Sequence, residues 1–164
     1  VLSTKAANPN KSKLGLFSIA GLSDALTLGG GPGSADDPTL HGGRLLVFSS
    51  VAGAFVNEYA LDDTTGSWVP KRKRGEQVGY SFKGGGPISR VTIVEGKRLT
   101  AKGRGSSLEL TLAVDPRPVG VILEIGTHRY CFEFGAGGLG FFKPDKRFRA
   151  PKNLKPGACP AVPD

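Results

Sequence analysis

The sequence has 164 residues, with 22 Lys and Arg against 14 Asp and Glu, and a net charge of +8. This length suits one domain, expected over residues 1–164, and an apolar content of 38% excludes a disordered chain. The 25 glycines and 12 prolines interrupt the chain too often for long helices. No apolar run approaches the roughly 20 residues that a membrane-spanning helix needs. The composition predicts an all-β domain of short strands and turns.

Alternation of apolar and polar residues with period two recurs along the chain and predicts about nine or ten short strands. The expected fold is an antiparallel β-sandwich or a small barrel. In chain order, the first predicted strands cover residues 14–19, 45–49, 55–61 and 79–83. Residues 22–28 fit a short helix or a strand equally well. A hairpin over residues 88–101 follows and turns at Glu95-Gly96, and a strand over residues 108–114 is expected to pair with the next one.

The strongest hairpin signal lies between Val119 and Phe134. Apolar residues alternate on both sides of Gly126-Thr127, and glycine at the first position of a two-residue turn is typical of type II′. The register that follows puts the apolar residues of both strands on one face. It also places Glu124 opposite Arg129, which is an attractive cross-strand pair.

The two cysteines, Cys131 and Cys159, predict one disulfide between a strand and the proline-rich tail of residues 150–164. Cys131 faces away from the apolar face of its hairpin, so the tail should cross the opposite face. A chain that begins at Val1 and lacks Met is what removal of a signal peptide would leave, although an expression boundary would look the same. Since disulfides persist in oxidising compartments, these features predict a secreted protein.

Basic residues are concentrated in two parts of the sequence, and we interpret them as candidates for polyanion binding. The first run is predicted to be a solvated loop between two strands, and the second lies near the tail. The alternative is that the charge serves only solubility. An acidic polysaccharide or anionic lipid headgroups are possible partners. Nucleic acid is disfavoured, because aromatic residues do not alternate with basic ones as nucleic-acid binding on a sheet would require. The candidates are Lys71, Arg72, Lys73, Arg74, Lys146, Arg147 and Arg149.

Three aromatic residues flank the first basic run: Tyr59, Trp68 and Tyr80. Together they could form a platform on which a sugar stacks, or they could belong to the core of the sandwich. The first interpretation corresponds to a carbohydrate-binding module.

The sequence predicts no catalytic centre, no cofactor and no metal. His41 and His128 are far apart and have no acidic or thiol companion at metal-ligand spacing. The serines show no nucleophile-elbow pattern, and both cysteines have a structural use. The acidic pairs Asp36-Asp37 and Asp62-Asp63 fit turns better than a calcium loop.

Several motifs together resemble a family of secreted bacterial β-domains with no established activity. They are Leu2, Lys5, Asn8-Pro9, Lys11 and Lys13, then 33–42 (GSADDPTLHG), Arg129-Tyr130-Cys131, Phe134-Gly135, Ala150-Pro151 and Cys159-Pro160. The resemblance implies a β-rich fold, secretion, and a module at the end of a larger extracellular protein. Members of that family often carry a second cysteine pair around the hairpin of residues 88–103, which this chain lacks.

The expected function is that of a secreted, non-catalytic structural or adhesive module without a membrane span. It would associate with copies of itself, with a larger extracellular assembly or filament, or with an anionic surface polymer. The alternative is a carbohydrate-binding module.

Overall fold

A computed structural model describes residues 2–3, 11–17, 26–29, 31–51, 53–150, 153–154, 159 and 161–163. These residues form thirteen strands, one short helix, α1 (Pro38–His41), and two 3-10 turns. The strands are β1 (Leu2–Ser3), β2 (Lys13–Phe17), β3 (Gly43–Ser49), β4 (Val56–Leu61), β5 (Gly66–Lys73), β6 (Glu76–Gly84), β7 (Ile88–Val94), β8 (Arg98–Arg104), β9 (Val119–Ile125), β10 (His128–Phe134), β11 (Phe141–Lys143), β12 (Arg147–Arg149) and β13 (Asn153–Leu154).

The strands form two antiparallel sheets. Sheet A has eight strands in the order β11-β12-β1-β2-β8-β7-β6-β5, and sheet B has five in the order β13-β10-β9-β3-β4. Within the described residues the outer strands β5 and β11 do not pair with each other, so sheet A does not close. The predicted all-β sandwich is confirmed, and the barrel alternative is wrong.

The core lies between the sheets because the strands alternate inward apolar and outward polar residues. Val91 and Ile93 of β7 and Val121 and Leu123 of β9 are completely buried and belong to one continuous apolar cluster. Complete burial of such a side chain contributes about 1.5–3 kcal/mol to folding.

The β9–β10 hairpin has the predicted register throughout, with Glu124 opposite Arg129. Its turn requires glycine, because Gly126 has a φ of +56° and an added Cβ would lie 1.9 Å from the carbonyl oxygen of Ala35. The carboxylate of Asp36 fastens the same turn by accepting hydrogen bonds from the Thr127 amide and hydroxyl, both at 2.8 Å.

The predicted strand over residues 108–114 is wrong. Leu108, Leu110 and Leu112 are buried as the alternation suggested, but their backbone joins no sheet. Glu109 has a left-handed φ of 49°, which interrupts an extended strand. The Tyr59 hydroxyl donates to the Leu108 carbonyl oxygen at 2.6 Å, so a side chain satisfies a group that a sheet would have paired.

The basic run predicted as a loop is mostly strand. Lys71, Arg72 and Lys73 end β5 and pair with β6, and only Arg74 lies in the turn. Residues 22–25 of the helix-or-strand segment lie outside the described residues, and 26–28 form neither element. Four short strands, β1 and β11–β13, were not predicted.

Candidate functional site

The C-terminal tail contacts the outer face of sheet B. Cys131 and Cys159 form the predicted disulfide, with their Cα atoms 5.3 Å apart. Three residues beyond it, Val162 packs on this face, as expected for a tail that crosses it. The buried apolar residues beneath are Leu46, Phe48 and Ile122.

Four of the five charged side chains in the described strands of sheet B are paired with one another, and Glu133 is the exception. The carboxylate of Glu124, whose side chain is 11% exposed, forms ion pairs with Arg44 and Arg129, and Arg44 also pairs with Glu58. Burial raises the pKa of Glu124, but the hydrogen bonds from both arginines outweigh this effect and hold the pKa below its usual value.

The structure separates the predicted polyanion-binding residues into two groups at opposite ends of sheet A. Lys71, Arg72 and Lys73 lie on the outermost strand β5, and Arg74 lies in the turn that follows it. Lys146, Arg147 and Arg149 belong to the β11–β12 hairpin at the other end. The two runs therefore do not form one patch.

Between the two ends lies a row of basic residues that sequence reasoning missed. Lys83 of β6 is directly opposite Arg90 of β7, which is directly opposite Lys102 of β8. Neighbouring strands lie about 4.8 Å apart, so the backbones of these three basic residues lie within about 10 Å of one another. Like charges in directly opposite positions repel and destabilise a sheet.

A second row continues toward the β11 end. Arg104 of β8 lies opposite Lys13 of β2, and Lys13 lies opposite Ser3 of β1. Beyond Ser3 the row reaches Arg147 of β12 and then Lys143 of β11. Five strands at about 4.8 Å intervals give a row about 19 Å long.

We call the outward side of sheet A the basic face, defined by ten exposed residues. They are Lys13, Lys71, Lys83, Arg90, Arg98, Lys102, Arg104, Lys143, Arg147 and Arg149. None of them forms an ion pair within the described part of the chain. The sole acidic residue in the described strands of sheet A is Glu76, at the tip of the β5–β6 hairpin opposite Lys73.

The alternation of side chains along each strand is the sequence feature from which this face could have been predicted. In β8 the residues Arg98, Lys102 and Arg104 share one side, while Leu99 and Ala101 are buried on the other. Reading only the outward positions of each strand would have shown the charge bias. A search for contiguous basic runs cannot show it.

The predicted sugar platform is contradicted by burial. Tyr59 and Tyr80 lie in the core, and Trp68 is only 7% exposed. The Trp68 indole donates to the Leu61 carbonyl oxygen at 2.7 Å, and burial raises the pKa of Tyr59 and Tyr80. These rings complete the sandwich and have no free face for a sugar.

His128, Asp37 and Asp62 have local structural contacts. His128 packs against Tyr130, with ring centroids 5.0 Å apart. Asp37 caps α1 and accepts from the Thr39 amide at 2.9 Å, and Asp62 accepts from the Thr64 amide at 3.1 Å to close a turn. Within the described residues no three His, Cys, Asp or Glu residues are grouped to hold a metal.

A shallow cavity of about 550 Å³ lies beside the loop before β11. It is lined by Asp115, Arg117, Glu133 and residues 135–138. Arg117 is already bound by the Asp115 carboxylate, so the positive group that lines the cavity is not free to bind an anion.

No helix among the described residues is long and apolar enough to cross a membrane. Comparisons with known proteins found no matching family model, no matching curated protein and no matching solved structure.

Proposed function

We propose that this chain is a secreted, non-catalytic adhesive module that holds an acidic polysaccharide on the basic face of sheet A. The observation that carries the proposal is the separation of charge between the two sheets. The described strands of sheet A contain one acidic residue beside their many cations, whereas in those of sheet B two arginines are paired with two glutamates and Glu133 is a further acidic residue.

The energetics of the face support a polyanionic partner. Each directly opposite pair of like charges costs a few tenths of a kcal/mol up to about 1 kcal/mol. The row of Lys83, Arg90 and Lys102 contains two such pairs. A bound polyanion would relieve that repulsion and would be attracted over a long range by the summed field of the face.

Two features favour a polysaccharide over nucleic acid. The disulfide suits an oxidising, extracellular compartment, where surface polymers include acidic polysaccharides. Among the side chains whose burial the structure describes, the basic face also lacks the series of exposed aromatic residues on which successive bases would stack, since Phe141 is the one large aromatic side chain exposed there. The resemblance to secreted bacterial β-domains agrees with this compartment.

Direct self-assembly through the β5 edge of sheet A is disfavoured. The outermost strand β5 contains Pro70, which has no amide hydrogen to donate, and ends in Lys71, Arg72 and Lys73. Proline and basic residues on an edge strand oppose the addition of another strand. The polymer offers a route of association with a larger extracellular assembly that does not use this edge.

Binding to a uronic-acid polymer tests the proposal, with the same polymer after reduction of its carboxylates to alcohols as the control. We expect binding that weakens steeply with salt and disappears for the reduced polymer. The variant Lys83→Gln/Arg90→Gln/Lys102→Gln should bind at least about tenfold more weakly at low salt without losing stability. Equal binding to the neutral polymer, tighter binding to a single-stranded oligonucleotide, or assembly at high protein concentration without polymer would overturn it.

A further inference from the structure

One corner of the basic face combines exposed apolar surface with cations. Phe141 of β11 is 56% exposed and lies directly opposite Arg149 of β12. On the same two strands, Lys143 lies opposite Arg147. Side chains in directly opposite positions share one face of a sheet, with their Cβ atoms about 4.5–5.5 Å apart. The phenyl ring is therefore bordered by basic groups.

Packing beneath the strands fixes which way the ring faces. Phe148 is buried and Phe142 packs against the core, and these two residues are directly opposite each other. Because side chains alternate along a strand, Phe141 and Arg149 must face outward. A rotation that buried Phe141 would expose Phe142 and Phe148.

The loop that precedes β11 is braced. The guanidinium of Arg117 donates to the carbonyl oxygens of Gly138 and Gly140, and the Asp115 carboxylate holds it in place. These hydrogen bonds fix the backbone on both sides of Leu139. Phe141 thus stands on a supported strand, and its exposure does not come from an unanchored loop.

We infer that Phe141 is the stacking platform of the polysaccharide site, and that Arg149 binds the acidic group of the stacked sugar. This inference rests on the proposed function. The C–H face of a pyranose ring is apolar and matches the face of a phenyl ring, while a carboxylate on its rim would lie within reach of a guanidinium. The ligand unit is a uronic-acid residue, and its neighbours along the polymer continue over Arg147 and Lys143.

This platform differs from the one predicted from the sequence. Tyr59, Trp68 and Tyr80 flank the first basic run in the sequence but fill the core. Phe141 is beside the second run, at the opposite end of sheet A. It is the exposed aromatic residue that the sugar-binding hypothesis required.

The test measures binding of an oligouronide of defined length to Phe141→Ala, Phe141→Trp and a matched control, Val69→Ala. Val69 is 48% exposed on the same face, on the outermost strand at the other end of sheet A. We expect Phe141→Ala to weaken binding about three- to tenfold with an unchanged dependence on salt, because stacking carries no charge. Val69→Ala should stay within about twofold, since it lies outside the stacking corner.

The Phe141→Trp variant supplies a second readout. This variant should bind as tightly as the original chain. Its tryptophan fluorescence should change on binding, whereas the fluorescence of the original chain, which comes from the buried Trp68, should not. If the original chain binds and Phe141→Ala binds equally well, this inference is wrong and the basic face alone accounts for binding. If a single-stranded oligonucleotide binds more tightly than the uronide and depends on Phe141, the sugar assignment is wrong. If the original chain binds no uronide, both proposals are overturned.

Discussion

The two sheets of the sandwich have opposite outer faces. On sheet B the outward residues include Ile122 and Phe48, against which Val162 of the disulfide-linked tail packs, and a carboxylate shared by two arginines. On sheet A the outward cations are exposed and have no acidic partners among the described residues. The comparison shows that one face is built for stability and the other bears an electrostatic cost. The polyanionic partner proposed above would offset that electrostatic cost.

The largest expected effect comes from opening the tail on sheet B. Cys131→Ser/Cys159→Ser should lower the free energy of unfolding by roughly 3–4 kcal/mol, because the bridge closes a loop with a sequence separation of 28 residues. Urea denaturation measures the loss, and binding of a hydrophobic dye should rise as the tail leaves Ile122. An unchanged midpoint would show that the tail does not stabilise sheet B.

Replacing one apolar side chain on each outer face by alanine compares how well the two faces are shielded from water. Ile122→Ala on sheet B should cost about 2–4 kcal/mol, since the side chain is 1% exposed beneath the tail. Val69→Ala on sheet A should cost about 0.5 kcal/mol, because the side chain already contacts water. Similar losses for both variants in denaturant unfolding would mean that sheet A is also covered.

The shared carboxylate on sheet B predicts a dependence of stability on pH. The pKa of Glu124 is below its unfolded value near 4.5, so its contribution is present above that pH and is lost as the pH falls through the folded pKa. Glu124→Gln should cost about 1–2 kcal/mol at pH 7, a modest figure because both arginines reach solvent. The difference in the free energy of unfolding between Glu124→Gln and the original chain, measured by urea denaturation, should become smaller below pH 4.5.

A control for this prediction is Glu58→Gln, which removes the exposed partner of Arg44 and should cost less than about 0.5 kcal/mol. If Glu58→Gln and Glu124→Gln lost equal stability, the buried position of Glu124 would have no special role.

The smallest expected effect is a gain of stability on sheet A. Arg90→Gln removes the middle charge of the Lys83, Arg90 and Lys102 row and should stabilise the fold by about 0.5 kcal/mol at low salt. The gain should shrink at high salt because exposed charges are screened. Destabilisation at every salt concentration would show that Arg90 is held by favourable contacts.

Local features of the fold were predictable, and long-range ones were not. The register of β9 and β10 followed from alternation around Gly126, and the disulfide followed from the count of two cysteines. The order of strands in sheet A could not be derived, because Lys13 and Arg104 become neighbours only through pairing of β2 with β8. Strand β5 was missed because Pro70 and the basic run suggested a loop.

The candidate site depends on the order of the strands in sheet A, which could not be derived from the sequence. Sequence reasoning found both ends of the basic face, since Lys71 and Arg147 lie in visible basic runs. It missed the middle, where single cations such as Arg90 are separated by apolar residues and meet only across strands. It also placed the aromatic platform in the core, because burial of Trp68 depends on which strands flank it.

The most direct test compares two variants that remove equal charge from different places. One is Lys83→Gln/Arg90→Gln/Lys102→Gln, on the central row of the basic face; the other is Arg72→Gln/Lys73→Gln/Arg74→Gln, on the β5–β6 hairpin. The measurement is the slope of log affinity against log salt for a uronic-acid polymer. We predict that the slope falls in magnitude by about 2 for the first variant and by less than about 1 for the second. Equal slopes for the two variants would contradict the account, because net charge alone would then govern binding and the basic face would have no specific role.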